Sequence, residues 1–132
     1  MNWVDISLYG IIDANRTRGR DIAELTRQAA EGGITLLQYR DKTADTRTLI
    51  DNARIIKQAL SPFGIALLIN DRVDVALAVG ADGVHVGQSD MAPADARRLL
   101  GDDAIIGLTI KTPQHAKEAP VELLDYVCMG GV

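Results

Sequence analysis

Short apolar runs alternate along this chain with longer amphipathic stretches, and Gly, Asn, Asp or Pro marks most of the junctions. The first run is Ser7 to Asp13. Ile22, Leu25, Ala29 and Ala30 then recur at helical spacing between about Asp21 and Gly32, and the Gly32-Gly33 pair supplies a stop. Ile34 to Tyr39 is the second run. Asp45 or Thr46 opens a helix that lasts to about Leu60 and is broken by Ser61-Pro62-Phe63-Gly64. The alternation continues with a strand over Ile65–Ile69, a helix over Val73–Val79 and a strand over Gly83–Val86. A helix over Ala94–Leu100, a strand over Ala104–Thr109, a weak helix over Pro113–Ala119 and a strand over Leu124–Met129 follow. Five strand-helix units and a sixth strand predict parallel pairing, because each crossover needs a helix. The runs TLLQ, IALLIN and AIIGL lack clean alternation, as expected of parallel strands covered on both faces.

Two architectures fit this rhythm, an open doubly wound sheet and a barrel. The open sheet usually carries a glycine-rich turn after its first strand. Here Asp13-Ala14-Asn15-Arg16 follows strand one, and no GxGxxG occurs. Polar groups instead follow nearly every strand: Asp13, Gln38 with Arg40 and Lys42, Asn70 with Asp71, Gln88 with Asp90, Thr109 with Lys111. A barrel gathers all strand ends around one axis, where such groups converge. The expected fold is therefore an α/β (β/α)8 TIM barrel, represented here by its first six strands and five helices. Residues 1–132 read as one incomplete barrel domain that lacks the last strands.

Composition narrows the class without changing the picture. The 132 residues are 47% hydrophobic and 24% charged, with few aromatics, so the core is aliphatic. A net charge of −4 argues against nucleic acid or an anionic membrane as partner, and leaves room for a small basic pocket. Cys128 is the one cysteine, expected as a small buried hydrophobe, and no intrachain disulfide is possible. With no apolar leader or spanning run, the expected location is the cytoplasm; a homo-oligomer stays open.

The chemistry gathers at the strand ends. Gln38, Arg40 and Lys42 are spaced by two, so on an extended strand they share a face. An Arg that grips phosphate bidentately beside a mobile Lys suits a di-anion, although both also serve to solvate a loop. Asp71 either caps the helix starting near Val73 or is a ligand. Asp90 is likewise a turn residue or a ligand. Taken together, two carboxylates on adjacent strand ends suit Mg²⁺, which favours carboxylate and phosphate oxygens. With no cysteine nearby and only His85 at hand, zinc is disfavoured. His85 is expected to give a hydrogen bond or to pack in the barrel, and His115 to lie exposed. Thr109 and Lys111 offer a hydroxyl and a cation to an anion.

In these motifs the chain resembles the thiamine-phosphate synthase family. The matches run in order: Leu8-Tyr9, GGITLLQYRDK (Gly32–Lys42), LLINDRVDVALAVGADGVHVGQSD (Leu67–Asp90), DAIIGLT (Asp103–Thr109) and DYVCMGGV (Asp125–Val132). The resemblance implies a (β/α)8 barrel enzyme that joins a pyrimidine diphosphate to a thiazole phosphate, releasing diphosphate. It implies substrate contacts from Gln38, Arg40, Lys42, Asn70 and Thr109, and Mg²⁺ on Asp71 and Asp90. No residue is implied as nucleophile or base. Two departures stand out. Lys111 occupies the place of a common family His, and a full barrel needs eight strands and about 200 or more residues. The 132-residue chain alone is thus expected to be inactive. A thiazole tautomerase-like paralogue or a non-catalytic phosphate-binding fragment are the rival readings.

Overall fold

A computed structural model describes residues 3–130. Six strands, β1 (Tyr9–Asp13), β2 (Leu36–Arg40), β3 (Ala66–Asn70), β4 (Gly83–Val86), β5 (Ile105–Ile110) and β6 (Tyr126–Met129), form one sheet. Every pairing is parallel and the spatial order is the chain order, β1-β2-β3-β4-β5-β6. The intervening helices are α1 (Ile22–Glu31), α2 (Thr46–Leu60), α3 (Val73–Val79), α4 (Pro93–Leu100) and α5 (Pro113–Glu118). Each begins where the chain offers a start signal or ends where it offers a stop. Asp21 and Asp45 cap α1 and α2 by accepting the Glu24 and Thr48 amides at 3.0 and 2.8 Å. Pro93 opens α4, and Gly80 closes α3 in the left-handed conformation at φ +65°. Leu49, Ala53, Ile56 and Leu60 form the buried stripe of α2, spaced by three or four residues.

Register divides the strand residues between two faces. Leu37, Leu67, Ile69, Val84, Val86, Ile106 and Leu108 face the helices and join their apolar stripes in the main core. The alternate residues, Tyr9, Leu36, Gln38, Leu68, Asn70, His85, Gly107, Thr109 and Tyr126, share the other face through the pairings of all six strands. A second, smaller core of Leu36, Leu68, Ile105 and Tyr126 fills that face at its base. The sheet must be strongly curled. Laid flat, five steps of about 4.8 Å would hold β1 and β6 about 24 Å apart. Instead the hydroxyls of Tyr9 on β1 and Tyr126 on β6 meet at 2.5 Å, with ring centroids 5.5 Å apart. Six parallel strands curled about one axis, with helices outside, are the larger part of a barrel. Between β1 and β6 the wall is open, and the inward-facing Ile11 is 58% exposed there.

Beneath the barrel a buried ion pair joins α4 to the segment before β6. The Arg97 guanidinium donates to the Asp125 carboxylate at 2.9 Å and to the carbonyls of Leu123 (2.7 Å) and Ala104 (2.6 Å). Asp125 also accepts the Ile106 amide at 2.8 Å. Cys128 is half-buried, not buried, because its inward face borders the open wall. Gly131 and Val132 of the last motif lie outside the described residues. Among those residues, no helix is long and apolar enough to cross a membrane.

Candidate active site

The carboxyl ends of the parallel strands bring the polar residues to one rim. A cavity of about 420 Å³ opens there, walled by Arg40, Lys42, Asn70, Asp90, Thr109 and Lys111. Arg40, the last residue of β2, is held by Asp13 at the end of β1: its Nη1 donates to Asp13 Oδ2 at 2.8 Å. The Asn15 amide beside Asp13, then the Arg40 guanidinium, keep that carboxyl below the usual carboxylate range. Lys42 extends from the loop after β2 until its Nζ lies 3.8 Å from Asp71 Oδ2.

The structure decides against helix capping for both carboxylates. The cap position of α3 is Arg72, which caps nothing through its side chain and pairs with Asp74 at 2.8 Å. Asp71 itself sits at φ +66°, a left-handed conformation that Asp tolerates better than most residues. Its amide donates to the His85 carbonyl at 2.8 Å, which fixes this kink at the end of β3. Nor does Asp90 cap α4, whose cap position is Ala92; its Oδ2 accepts the Gly87 amide at 2.8 Å and folds the β4–α4 loop over the rim. Burial raises the Asp71 carboxyl above the usual range, and the adjacent Asp90 carboxyl raises it further. Two carboxyls this close are a hard-oxygen pair that a divalent cation would relieve. Among the described residues, no cluster of three or more His, Cys, Asp or Glu side chains forms an all-protein metal cage. Two carboxylates are a donor set of the kind that hard divalent cations take together with waters.

Gln38 is placed differently from Arg40 and Lys42. Only 3% exposed, it lies below the cavity, its amide engaged at both ends. Asn70 Nδ2 donates to its Oε1 at 2.8 Å, and its Nε2 donates to the Tyr9 hydroxyl at 2.9 Å. From there the bonding continues through Tyr126 to His85 Nδ1 (2.7 Å), and from His85 Nε2 to Thr109 Oγ1 (2.6 Å). All six strands contribute one member. Gly107 makes this possible: a Cβ there would stand 2.0 Å from the Tyr126 ring, so only glycine lets the ring lie across β5 and stack on His85. Burial raises the Tyr9 hydroxyl and, much further, that of Tyr126 above the usual phenol range, and lowers the His85 imidazole. Gln88 holds Thr109 from the other side, donating to its carbonyl at 2.9 Å. His115, expected to be exposed, is half-buried in the cavity wall, where its Nδ1 accepts the Lys111 amide at 3.1 Å.

Sequence reasoning missed Tyr9 and Tyr126 as site components, because each reads as an ordinary aromatic in an apolar run. Counting strand parity forward from Gln38 and His85 puts both on the inner face, and the small Gly107 beside Tyr126 marks the space its ring uses.

Comparison with known proteins identifies the family. The sequence model of a family described as thiamine monophosphate synthase matches residues 8–132. The thiamine-phosphate synthase of Agrobacterium fabrum is 52% identical over 132 residues, covering all of this chain and 60% of that protein. The thiamine-phosphate synthase of Azorhizobium caulinodans is 47% identical over 128 residues, 97% of this chain and 60% of that protein. Among solved structures, thiamine phosphate pyrophosphorylase from Pyrococcus furiosus superimposes with a TM-score of 0.82 at 34% identity. That match covers 95% of this chain and 60% of the other. The chain thus spans about 60% of the length of these relatives.

Proposed function

The chain belongs to the thiamine monophosphate synthase family, and we propose that, at the length of its relatives, it is a transferase of thiamine biosynthesis. It would couple 4-amino-2-methyl-5-(diphosphooxymethyl)pyrimidine with thiazole phosphate, giving thiamine phosphate and diphosphate. The single observation that carries this reading is the rim itself: Arg40, Lys42, Asn70, Asp90 and Thr109 around one cavity, with Asp71 beside Asp90.

In this reading the reaction places its main demand on the leaving group. The aminopyrimidine delocalises positive charge at the methylene carbon, so diphosphate can depart early and the thiazole nitrogen then bonds to that carbon. No side chain has to act as nucleophile. Arg40, aimed by Asp13, and Lys42 would take phosphate oxygens, and preorganised cations at a developing charge are an effective form of catalysis. Thr109 would donate its hydroxyl to the same group, and Asn70, held from below by Gln38, would fix the pyrimidine side. Asp71 and Asp90 would hold Mg²⁺, which supplies charge neutralisation for the departing diphosphate. Lys42, close to Asp71, is available to both groups. The cytoplasmic setting rests on the single thiol, suited to a reducing compartment.

The test is a coupling assay with both substrates and Mg²⁺ on the protein at its relatives' length, with thiamine phosphate as the readout. Turnover that requires both substrates and is lost in Arg40→Ala supports the assignment. Proton exchange on a thiazole without coupling would move it to a tautomerase.

A further inference from the structure

The side chains of Tyr9, Tyr126 and His85 hydrogen-bond to neither the rim cations nor the carboxylate pair, yet they link the two walls of the cavity. Their donors and acceptors can be assigned by counting protons. Asn70 donates to Gln38, and Gln38 donates to Tyr9. The Tyr9 oxygen has thereby accepted, so its single proton goes to its remaining partner, the Tyr126 oxygen at 2.5 Å. Tyr126 must then spend its own proton on His85 Nδ1, at 2.7 Å. A neutral imidazole that accepts at Nδ1 carries its proton at Nε2, and this nitrogen faces Thr109 Oγ1 at 2.6 Å. The hydroxyl of Thr109 has now accepted, and its own proton is left for the cavity.

We propose that Tyr9, Tyr126 and His85 are positioning residues that orient the Thr109 hydroxyl as a hydrogen-bond donor to an anionic oxygen in the cavity. The proposal deepens the functional reading above, on which the identity of that oxygen as a phosphate oxygen rests. The chain runs one way across the barrel, Asn70 to Gln38 to Tyr9 to Tyr126 to His85 to Thr109, with a carbonyl at one end and a hydroxyl proton at the other. The ends match their surroundings. Asn70, whose free side-chain oxygen is an acceptor, adjoins Asp71 of the carboxylate pair, where a cation belongs. Thr109 opens into the cavity that Arg40, Lys42 and Lys111 also line, where an anion belongs. With both amides and the imidazole tautomer reversed, the same heavy atoms would carry the opposite polarity, and Thr109 would face the anion with lone pairs alone.

The polarity is read directly from the tautomer of His85. In the intact protein labelled with ¹⁵N, long-range ¹H–¹⁵N correlation spectra resolve the histidine rings, and a His85→Asn variant assigns the His85 signals by their loss. Protonation of His85 at Nε2 with a bare Nδ1 is expected; a proton on Nδ1 overturns the proposal. The second arm is binding of inorganic pyrophosphate with Mg²⁺ by calorimetry. Tyr126→Phe keeps the ring and removes the proton that fixes Nδ1. It should leave the far-ultraviolet spectrum unchanged, give His85 a mixed tautomer signature and weaken pyrophosphate binding about tenfold, the worth of one hydrogen bond to a charged group. Tyr9→Phe interrupts the chain one link earlier and serves if Tyr126→Phe does not fold. Unchanged affinity in a variant whose tautomer has become mixed overturns the positioning role. Absence of pyrophosphate binding in the unsubstituted protein would instead sink the functional reading, while the tautomer still reports the direction of the chain.

Discussion

Gly107→Ala is the substitution on which the inner architecture can be tested most sharply. The added methyl would lie 2.0 Å from Tyr126 Cζ and 2.4 Å from its hydroxyl oxygen. Carbon atoms settle near 3.5 Å, so the ring must retreat by about 1.5 Å. A displacement of that size breaks the hydrogen bonds of Tyr126 to Tyr9 and His85. Their loss costs about 1 kcal/mol each. Overpacking of the lumen adds about 1–3 kcal/mol, for a total of about 3–5 kcal/mol. The entropy that alanine removes from the unfolded chain returns less than about 1 kcal/mol. Because domains are stable by only about 5–15 kcal/mol in all, the effect should be plain in urea unfolding followed by circular dichroism. A double-mutant cycle isolates the cause. In a Tyr126→Ala background the clash partner is gone, and Gly107→Ala should then cost close to nothing. A cost under about 1 kcal/mol in the single variant, or an equal cost in both backgrounds, would refute the packing described here.

Four further outcomes are expected. Asp125→Ala leaves Arg97 charged and buried and strands the Ile106 amide, so it should destabilise the fold by about 3–5 kcal/mol in the same unfolding assay. Asp71→Asn and Asp90→Asn should each raise the Mg²⁺ concentration needed for half-maximal coupling at least tenfold while leaving the unfolding midpoint nearly unchanged; Mn²⁺ binding followed by electron paramagnetic resonance checks the same ligands independently. Arg40→Met should weaken pyrophosphate binding by about 1.5–3 kcal/mol, measured by calorimetry, as loss of a charged hydrogen-bond donor predicts. The 132-residue chain by itself should form no thiamine phosphate in the coupling assay, because the wall between β1 and β6 is open and leaves Ile11 and the lumen to water.

The outer architecture was legible because it is written in local signals. Asp21, Asp45, Pro93 and Gly80 mark helix ends by their own chemistry, and the observed bounds of α2, α3 and β4 coincide with those the spacing predicts. Elsewhere the strands shift by one or two residues, since a run becomes a paired strand only where a neighbour is within hydrogen-bonding reach. The rim was legible for a related reason: in a parallel barrel, polar residues just after the strands have one common place to go. What pattern reading left open was the role of each carboxylate. Asp71 has the sequence position of a cap, and only its left-handed backbone, tied to the His85 carbonyl, turns it toward Asp90. The Tyr9–Tyr126 contact was out of reach for a deeper reason. It joins residues 117 positions apart, and it depends on how tightly the whole sheet curls, a property of no single segment. The Arg97–Asp125 pair is similar, since nothing near either residue announces a buried partner.

The chain-order sheet also bears on how the molecule comes into being. Each strand pairs with the strand synthesised just before it, so no segment has to wait for a distant partner in order to hydrogen-bond. As the polypeptide leaves the ribosome, β1 and β2 can dock under α1, then accept β3, and so on, each unit being laid on a template already standing. Pairing with the nearest strand in sequence keeps each loop to be closed as short as a parallel crossover allows. The tyrosine clasp is the exception: it cannot form until residue 126 has emerged. This contact across the lumen is therefore a late event in the assembly of the six strands, and the apolar floor of Leu36 and Leu68 has to stay wet until then.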